Sequence, residues 1–394
     1  MKTGKVDMSD IVYLDHSATS YPKPPEVYDF MNNFYRAHGV SPGRSGFDAA
    51  LETEELVSET RKLLCNLFHA NDPNHLVFTY NASDALNMVI LGTLNPGDHV
   101  VTTLLEHNSV LRPLYHLRTE KNVDVTYVPF DEKGLVDPDE IDKAIRKETR
   151  MVIVNHTSNV LGTIQPIEEI GKICRKHGVL FVVDASQSAG SIEVDAEKAS
   201  IDAVCFTGHK GLMGPTGIGG MWVRPGFPVR STRFGGTGVR SAQESHLEEF
   251  PYRLECGTLN ILGVAGLYAG VKWIFKQGLD NIHKQELALW QRLYEGLSEI
   301  DGVTIYAAEP KSYRTPVLSF NVYGFDAADA GTFLDVDYNI ACRTGLHCAP
   351  KVHQHIGTFS INGTVRFSIG PFNNQEHIDH AIQAVREIAA IRKG

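Results

Sequence analysis

The chain has 394 residues, enough to bury a sizeable core and, as a prior, to form two domains. Its 37 basic and 47 acidic residues leave a formal charge of −10, which argues against nucleic acid or an anionic membrane surface as the main partner. No run of 18 apolar residues occurs, and the start, MKTGKVDMSDIVYLD, lacks an apolar signal core, so neither a spanning helix nor a signal peptide is expected. Six cysteines without a C-x-x-C pair exclude a disulfide framework in so large a chain, and a cytoplasmic protein with reduced thiols is the default.

Taken in chain order, short apolar runs rich in β-branched residues at 75–80, 99–104, 123–130, 150–156, 179–185 and 202–208 read as strands. Amphipathic stretches at 137–147 and 166–177 read as helices, the second closed by Gly178. Continuously apolar strands separated by helices predict a three-layer α/β domain with a mostly parallel sheet and ligands at the strands' carboxyl ends. After about residue 265 the texture changes. A helical pattern over roughly 263–298 leads to VTIYAA, TPVLSFNVY and TVRFSIG, which predict a smaller α+β domain with an antiparallel sheet. The expected division is an N-terminal segment, 1–22, packing on the small domain, a large domain over 23–265, and a small domain over 266–394 carrying the Cys348 loop.

Chemistry concentrates at the strand ends. In VCFTGHKGLMGPTGIGG (204–220) Lys210 follows a strand and precedes a glycine-rich loop, where a desolvated Schiff-base amine would belong, although most such lysines are simply exposed. The order of residues is neither a P-loop nor a dinucleotide fingerprint. Asp184 ends the strand in FVVDASQSAG and could serve as a helix cap. It precedes Lys210 by 26 positions, room for one helix and a return strand, so the two could meet in neighbouring loops. A carboxylate facing a lysine-bound pyridine ring is the pairing that pyridoxal phosphate requires. YNASDALNM opens a helix at Ala82 and Ser83, either a plain cap or an anion cradle. His107 in LLEHNS follows a strand where an imidazole could lie on a ring. In ACRTGLHCAPK, HCAPKVHQH fits no zinc spacing, and Cys342 reads as strand-end packing. Cys65, Cys174 and Cys205 read as core.

Together TGHKGLMGPTGIG, VVDASQ, EHNS, HTSNVLGT and RTGLHCAP, in this order, resemble the class V aminotransferase family of pyridoxal-phosphate enzymes (fold type I), and within it the cysteine desulfurases. The resemblance spans nearly the whole chain. It implies that pyridoxal 5'-phosphate bonds Lys210, with Asp184 at the pyridine nitrogen, Gln187 at the ring's phenolic oxygen and His107 stacked on its face. Ala82, Ser83, Thr207 and His209 would hold the phosphate. Thr258 would reach the neighbouring subunit's phosphate, so a homodimer is implied. Asn159 and Arg366, with Arg343 as a further candidate, would bind the substrate carboxylate. Cys348 would be the nucleophile that takes sulfur from L-cysteine as a persulfide, with His347, Arg343 and the phosphate lowering its pKa, and with alanine as the other product. A short loop at Cys348 should make transfer to a sulfur-acceptor protein slow unless a partner docks.

Two departures bear on substrate choice. The lysine loop is one residue longer than the GHK-x-x-GPTG common among the best-known desulfurases, and the segment SPGRSGFDAA carries Phe47 near where many relatives have a histidine. The alternatives are a selenocysteine lyase, another aminotransferase or β-eliminating lyase of the family, and a non-catalytic sulfur-relay scaffold.

Overall fold

The computed structural model describes residues 11–42, 46–306 and 313–391. In chain order the strands are β1 (Val12–Tyr13), β2 (Leu76–Thr79), β3 (His99–Thr103), β4 (Asp124–Val128), β5 (Thr149–Asn155), β6 (Leu180–Asp184), β7 (Ala203–Thr207) and β8 (Gly219–Val223). They continue with β9 (Val303–Ile305), β10 (Val317–Val322), β11 (Ile340–Ala341), β12 (Arg343–Gly345) and β13 (Thr364–Ser368). The helices are α1 (Pro25–His38), α2 (Asp48–Leu67), α3 (Ala82–Thr93), α4 (Asn108–Lys121), α5 (Pro138–Ala144) and α6 (Ile167–His177). Then follow α7 (Ile261–Gln277), α8 (Leu279–Ser298), α9 (Ala327–Tyr338), α10 (Pro350–His355) and α11 (Gln375–Ala390).

Seven strands form the large sheet in the order β2-β8-β7-β6-β5-β3-β4, mostly parallel, with β8 antiparallel to both its neighbours. Both faces are apolar. Val152 and Val154 of β5 join one core with Phe181 and Phe206, while Met151 and Ile153 join the other with Val100 and Val182. The period-2 alternation of a strand therefore puts valine and isoleucine on each side, and helices must cover both. Helices α2, α6 and α7 cover the first face, and α3 and α4 the second. Helix α6 shows why such segments are helical. Glu168 and Glu169 stand in its first turn, Arg175, Lys176 and His177 in its last, and Gly178 at φ 66° closes it.

The second sheet, β12-β13-β10-β9, is antiparallel and packs on α8 and α11 through a core containing Trp290, Phe320 and Phe367. β1 pairs in parallel with β11 as a separate two-stranded sheet, and the next residues reach the four-stranded sheet through a bridge between Asp15 and Ser368 of β13. The helical pattern of 263–298 resolves into α7 and α8, separated by Gly278 at φ 82°. Because α7 packs on α1 and α2 while α8 packs on α11, we propose to draw the division between large and small domains at Gly278, beyond the expected residue 265.

Strand β8 corrects the sequence reading, in which Gly219 and Gly220 belong to the loop after Lys210. They are β-paired, and a Cβ on Gly220 would lie 2.6 Å from both the Phe206 ring and the Val77 carbonyl oxygen. Glycine is there so that three strands can pack closely.

Candidate active site

The carboxyl ends of β2, β3, β5, β6 and β7 open on one edge of the large sheet, where β12 and β13 of the smaller sheet meet it. The order of strands reverses between β3 and β5, the place where an open α/β sheet leaves a crevice. A cavity of about 300 Å³ lies there. Its wall contains Ala82, Ser83, His107, Asn159, Asp184, Gln187, Thr207, His209, Lys210, Arg343 and Arg366, so eleven of the thirteen residues singled out from the sequence share one cavity.

At one end α3 begins at Ala82, with Asn81 capping it by accepting from the Asp84 N–H. The free N–H groups of that first turn face the end of β7, where Thr207 Oγ1 and His209 Nδ1 are buried and have no hydrogen-bond partner among the described residues. Burial and the neighbouring lysines hold His209 neutral, at about 4. A helix N-terminus beside unpaired buried polar atoms can hold an anion.

In the middle of the cavity Asp184 is 2% exposed, and its carboxylate accepts from the Ser186 N–H and hydroxyl. Burial raises its pKa despite these bonds and the attraction of Lys210. The Lys210 amine is pushed down to about 8, first by burial, against the opposing pull of Asp184. Its backbone is pinned from the N-terminal segment. The His209 carbonyl accepts from the Ser20 N–H at 3.1 Å, the Thr19 hydroxyl at 3.1 Å and Lys23 Nζ at 2.6 Å, and the Ser20 hydroxyl donates to the Lys210 carbonyl at 2.8 Å. Within the lysine loop Met213 stands at φ 58°. Gln187 Nε2 donates to the Ser17 carbonyl at 3.0 Å. His107 caps α4, its Nδ1 accepting from the Ser109 N–H at 3.0 Å, so the ring's other nitrogen carries the proton. Burial and the positive charges of Lys210, Arg343, Arg112 and Arg366 hold it neutral, at about 3. Behind it lies Glu106, wholly buried. Its carboxyl accepts from the Thr103 hydroxyl at 2.7 Å and the Asn155 N–H at 3.1 Å, and burial lifts its pKa to about 8.

At the far end Arg343 and Arg366 are register partners on β12 and β13, which places their side chains on the same face of the sheet. Arg366, fully buried, donates to the Asn159 carbonyl at 2.9 Å and to Asp15 Oδ1 at 2.6 Å, while its Nε has no partner among the described residues. Asn159 donates to the His347 carbonyl at 2.6 Å and leaves its own Oδ1 buried and unpaired. Unpaired buried donors and an unpaired amide oxygen side by side suit a ligand carrying both a carboxylate and an amine.

Cys348 lies in a four-residue loop, 346–349, between β12 and α10. His347 and Cys348 both have positive φ, 48° and 59°, a costly conformation for residues with side chains. It is held by the Asn108 N–H, which donates to the Cys348 carbonyl at 2.7 Å. Arg343 Nη2 donates to Cys348 Sγ at 3.3 Å. The expectation that His347 assists the thiol needs correcting. Its imidazole is bonded to Thr364 Oγ1 at 3.0 Å, and burial pushes it well below the usual imidazole range, so it is neutral and offers no positive charge. Cys348 lines a second cavity, outside the first. Cys342 packs against the small-domain core, its thiol pushed up to about 12 by burial. Cys65, Cys174 and Cys205 are buried as expected.

Besides Cys348, Thr258 is the other residue of the set placed outside that cavity, on a surface pocket with Tyr80, Asp84 and Arg233. Phe47 caps α2 and is 49% exposed, while 43–45 of the same segment lie outside the described residues. Sequence reasoning missed Asp15, Glu106, Lys23 and Asn155. Asp15 ends the quoted stretch MKTGKVDMSDIVYLD, but nothing local marks a carboxylate whose partner is 351 positions away.

A family model described as aminotransferase class-V matches residues 12–380. A probable cysteine desulfurase of Methanothermobacter thermautotrophicus is 36% identical over 389 residues, covering 98% of this chain and 96% of that protein. The cysteine desulfurase of Haloferax volcanii is 30% identical over 396 residues, covering 98% of this chain and 91% of its own length. Among solved structures, a cysteine desulfurase from Thermococcus onnurineus NA1 superposes with a TM-score of 0.91 at 36% identity, over 97% of this chain and 95% of that one. With a match over almost its full length and the lysine, aspartate and arginines of one cavity in place, the chain belongs to the aminotransferase class-V family.

Proposed function

We propose that the protein is a pyridoxal-phosphate-dependent cysteine desulfurase, which converts L-cysteine to L-alanine and carries the sulfur as a persulfide on Cys348. One observation supports this above the rest. Arg343, on the wall of the cavity that holds Lys210 and Asp184, donates to the Cys348 sulfur, which joins the amine and the thiol in one site. Relatives and structural neighbours bearing the desulfurase name support it independently.

The donor set fits the cofactor. The first turn of α3, Ser83, Thr207 and His209 would take its phosphate, Asp184 its ring nitrogen, Gln187 its phenolic oxygen, His107 its face, and Lys210 its aldehyde carbon. When bound, the cofactor supplies a sink for the electron pair left on the substrate's Cα. The chain's own groups do the rest. Arg366 and Arg343 hold the substrate carboxylate, and Asn159 Oδ1, otherwise unpaired, can accept from its amine, which together fix the orientation of Cα. Lys210, with a pKa near 8, is a base matched to neutral pH and moves the Cα proton. Arg343 donates a hydrogen bond to the sulfur of Cys348, which accepts the substrate sulfur.

Thr258, outside its own chain's cavity, supports a homodimer in which it completes the partner's phosphate site. Six free cysteines support a reducing, cytoplasmic setting. No helix among the described residues is long and apolar enough to cross a membrane. The decisive experiment is incubation with L-cysteine, followed by measurement of alanine and of the mass of the Cys348 peptide. One persulfide per active site is expected, and Cys348→Ala should lower sulfur release by about a hundredfold or more. Alanine without a persulfide would overturn the role of Cys348. Selenium release from L-selenocysteine that survives Cys348→Ala, with sulfur release lost, would reassign the protein as a selenocysteine lyase.

A further inference from the structure

Cys348 is absent from the wall of the inner cavity and present on that of the outer one, which measures about 450 Å³. The two cavities share Ser83, His107 and Ser109 as a common wall, and the thiol is reached from the inner side through the Arg343 N–H. A sulfur loaded from within is therefore offered outward. The outer cavity contains Arg112 and His116, the amides Asn87 and Asn108, and no carboxylate. Arg112 is exposed and has no ion-pair or hydrogen-bond partner among the described residues. Its volume falls in the small-molecule range, of about 300–1,000 Å³.

Resting on the desulfurase reading, we propose that this outer cavity is the binding site of the sulfur acceptor, and that the acceptor is a small thiol carrying a carboxylate, held by Arg112 beside Cys348. The chemistry balances without an added oxidant or reductant. The acceptor thiolate attacks the terminal sulfur of the Cys348 persulfide and forms a new S–S bond. The old S–S bond breaks, and the Cys348 sulfur leaves as a thiolate next to Arg343. The terminal sulfur and its proton depart as the acceptor's persulfide.

The test separates this from the loading reaction. The holoenzyme is first charged with L-cysteine, freed of substrate, and checked by mass for the persulfide. Charged protein is then mixed with increasing 3-mercaptopropionate or, as the neutral control, 2-mercaptoethanol, and loss of the persulfide is timed. The rate should saturate with 3-mercaptopropionate and rise linearly with 2-mercaptoethanol. In Arg112→Gln the half-saturating concentration of 3-mercaptopropionate should increase about tenfold, with 2-mercaptoethanol unaffected, and Arg112→Lys should restore most of the difference. Both thiols behaving alike, or indifference to Arg112→Gln, overturns the acceptor site while the desulfurase reading stands. Absence of any persulfide after charging overturns that reading, and the acceptor site with it.

Discussion

Glu286, on α8, is 5% exposed, and burial pushes its carboxyl up to about 8. Glu106, behind His107, is raised to about 8 as well, by burial and by Asp184. A carboxyl whose folded pKa exceeds its unfolded value stabilises the fold while it stays protonated. That contribution is complete below pH 4.5 and is lost as pH rises toward 8, because the native state then holds the extra proton. Glu286→Gln keeps the shape and removes the titration. Its unfolding free energy should fall less steeply between pH 5.5 and 8 than that of the wild type, by up to about 1.4 kcal/mol per pH unit. Urea unfolding at the two pH values checks this, and identical slopes would refute a neutral Glu286. Lys210, Asp184 and His107 were legible in the sequence because each stands at or just after the end of an apolar run, whereas the arginines and Asn159 were legible only through the family motifs. The two buried acids were not, because a glutamate looks alike in sequence whether it faces water or a core.

Among the elements, the turn after β7 owes its shape to the N-terminal segment. Lys23, buried and without a carboxylate partner among the described residues, donates to the Ser20 hydroxyl at 2.7 Å and the His209 carbonyl at 2.6 Å, and burial pushes its amine down to about 7. We expect Lys23→Met to lower kcat about tenfold with little change in KM for L-cysteine, since it removes a charge-assisted hydrogen bond of about 1.5–3 kcal/mol from the backbone that aims Lys210. Steady-state kinetics decide it, and a rise in KM at unchanged kcat would show that Lys23 acts on substrate binding instead. The strands of the large sheet were readable from their apolar runs, and the break at Gly278 could have been read from a glycine within a helical pattern. Strand β8 could not, because GGMWV pairs two glycines with a short apolar run, and only the closeness of Asn81 and Phe206 to Gly219, and of Phe206 and Val77 to Gly220, explains them.

At the scale of the whole molecule the site is a junction. Asp15 comes from the N-terminal segment, Lys210 and Asp184 from the large sheet, and Arg343, Arg366 and the Cys348 loop from the smaller one. If Thr258 acts across a dimer, mixing inactive Lys210→Ala with Thr258→Val subunits should restore, in mixed dimers, sites that pair an intact Lys210 with an intact Thr258. The measurement is cofactor retention and alanine formation after subunit exchange, and no gain over the Thr258→Val protein alone would refute a trans role. The sequence by itself determined the alternation of strand and helix, the family motifs and the chemical identity of the site's lysine, aspartate, arginines and cysteine, because these depend on local pattern and residue type. Only the tertiary structure decided which face each group presents. It set Arg366 against Asp15, 351 positions away, and it set Cys348 beside Arg343 at the border of two cavities, because strand register pairs Arg343 with Arg366 and the distant Asn108 N–H holds the Cys348 loop.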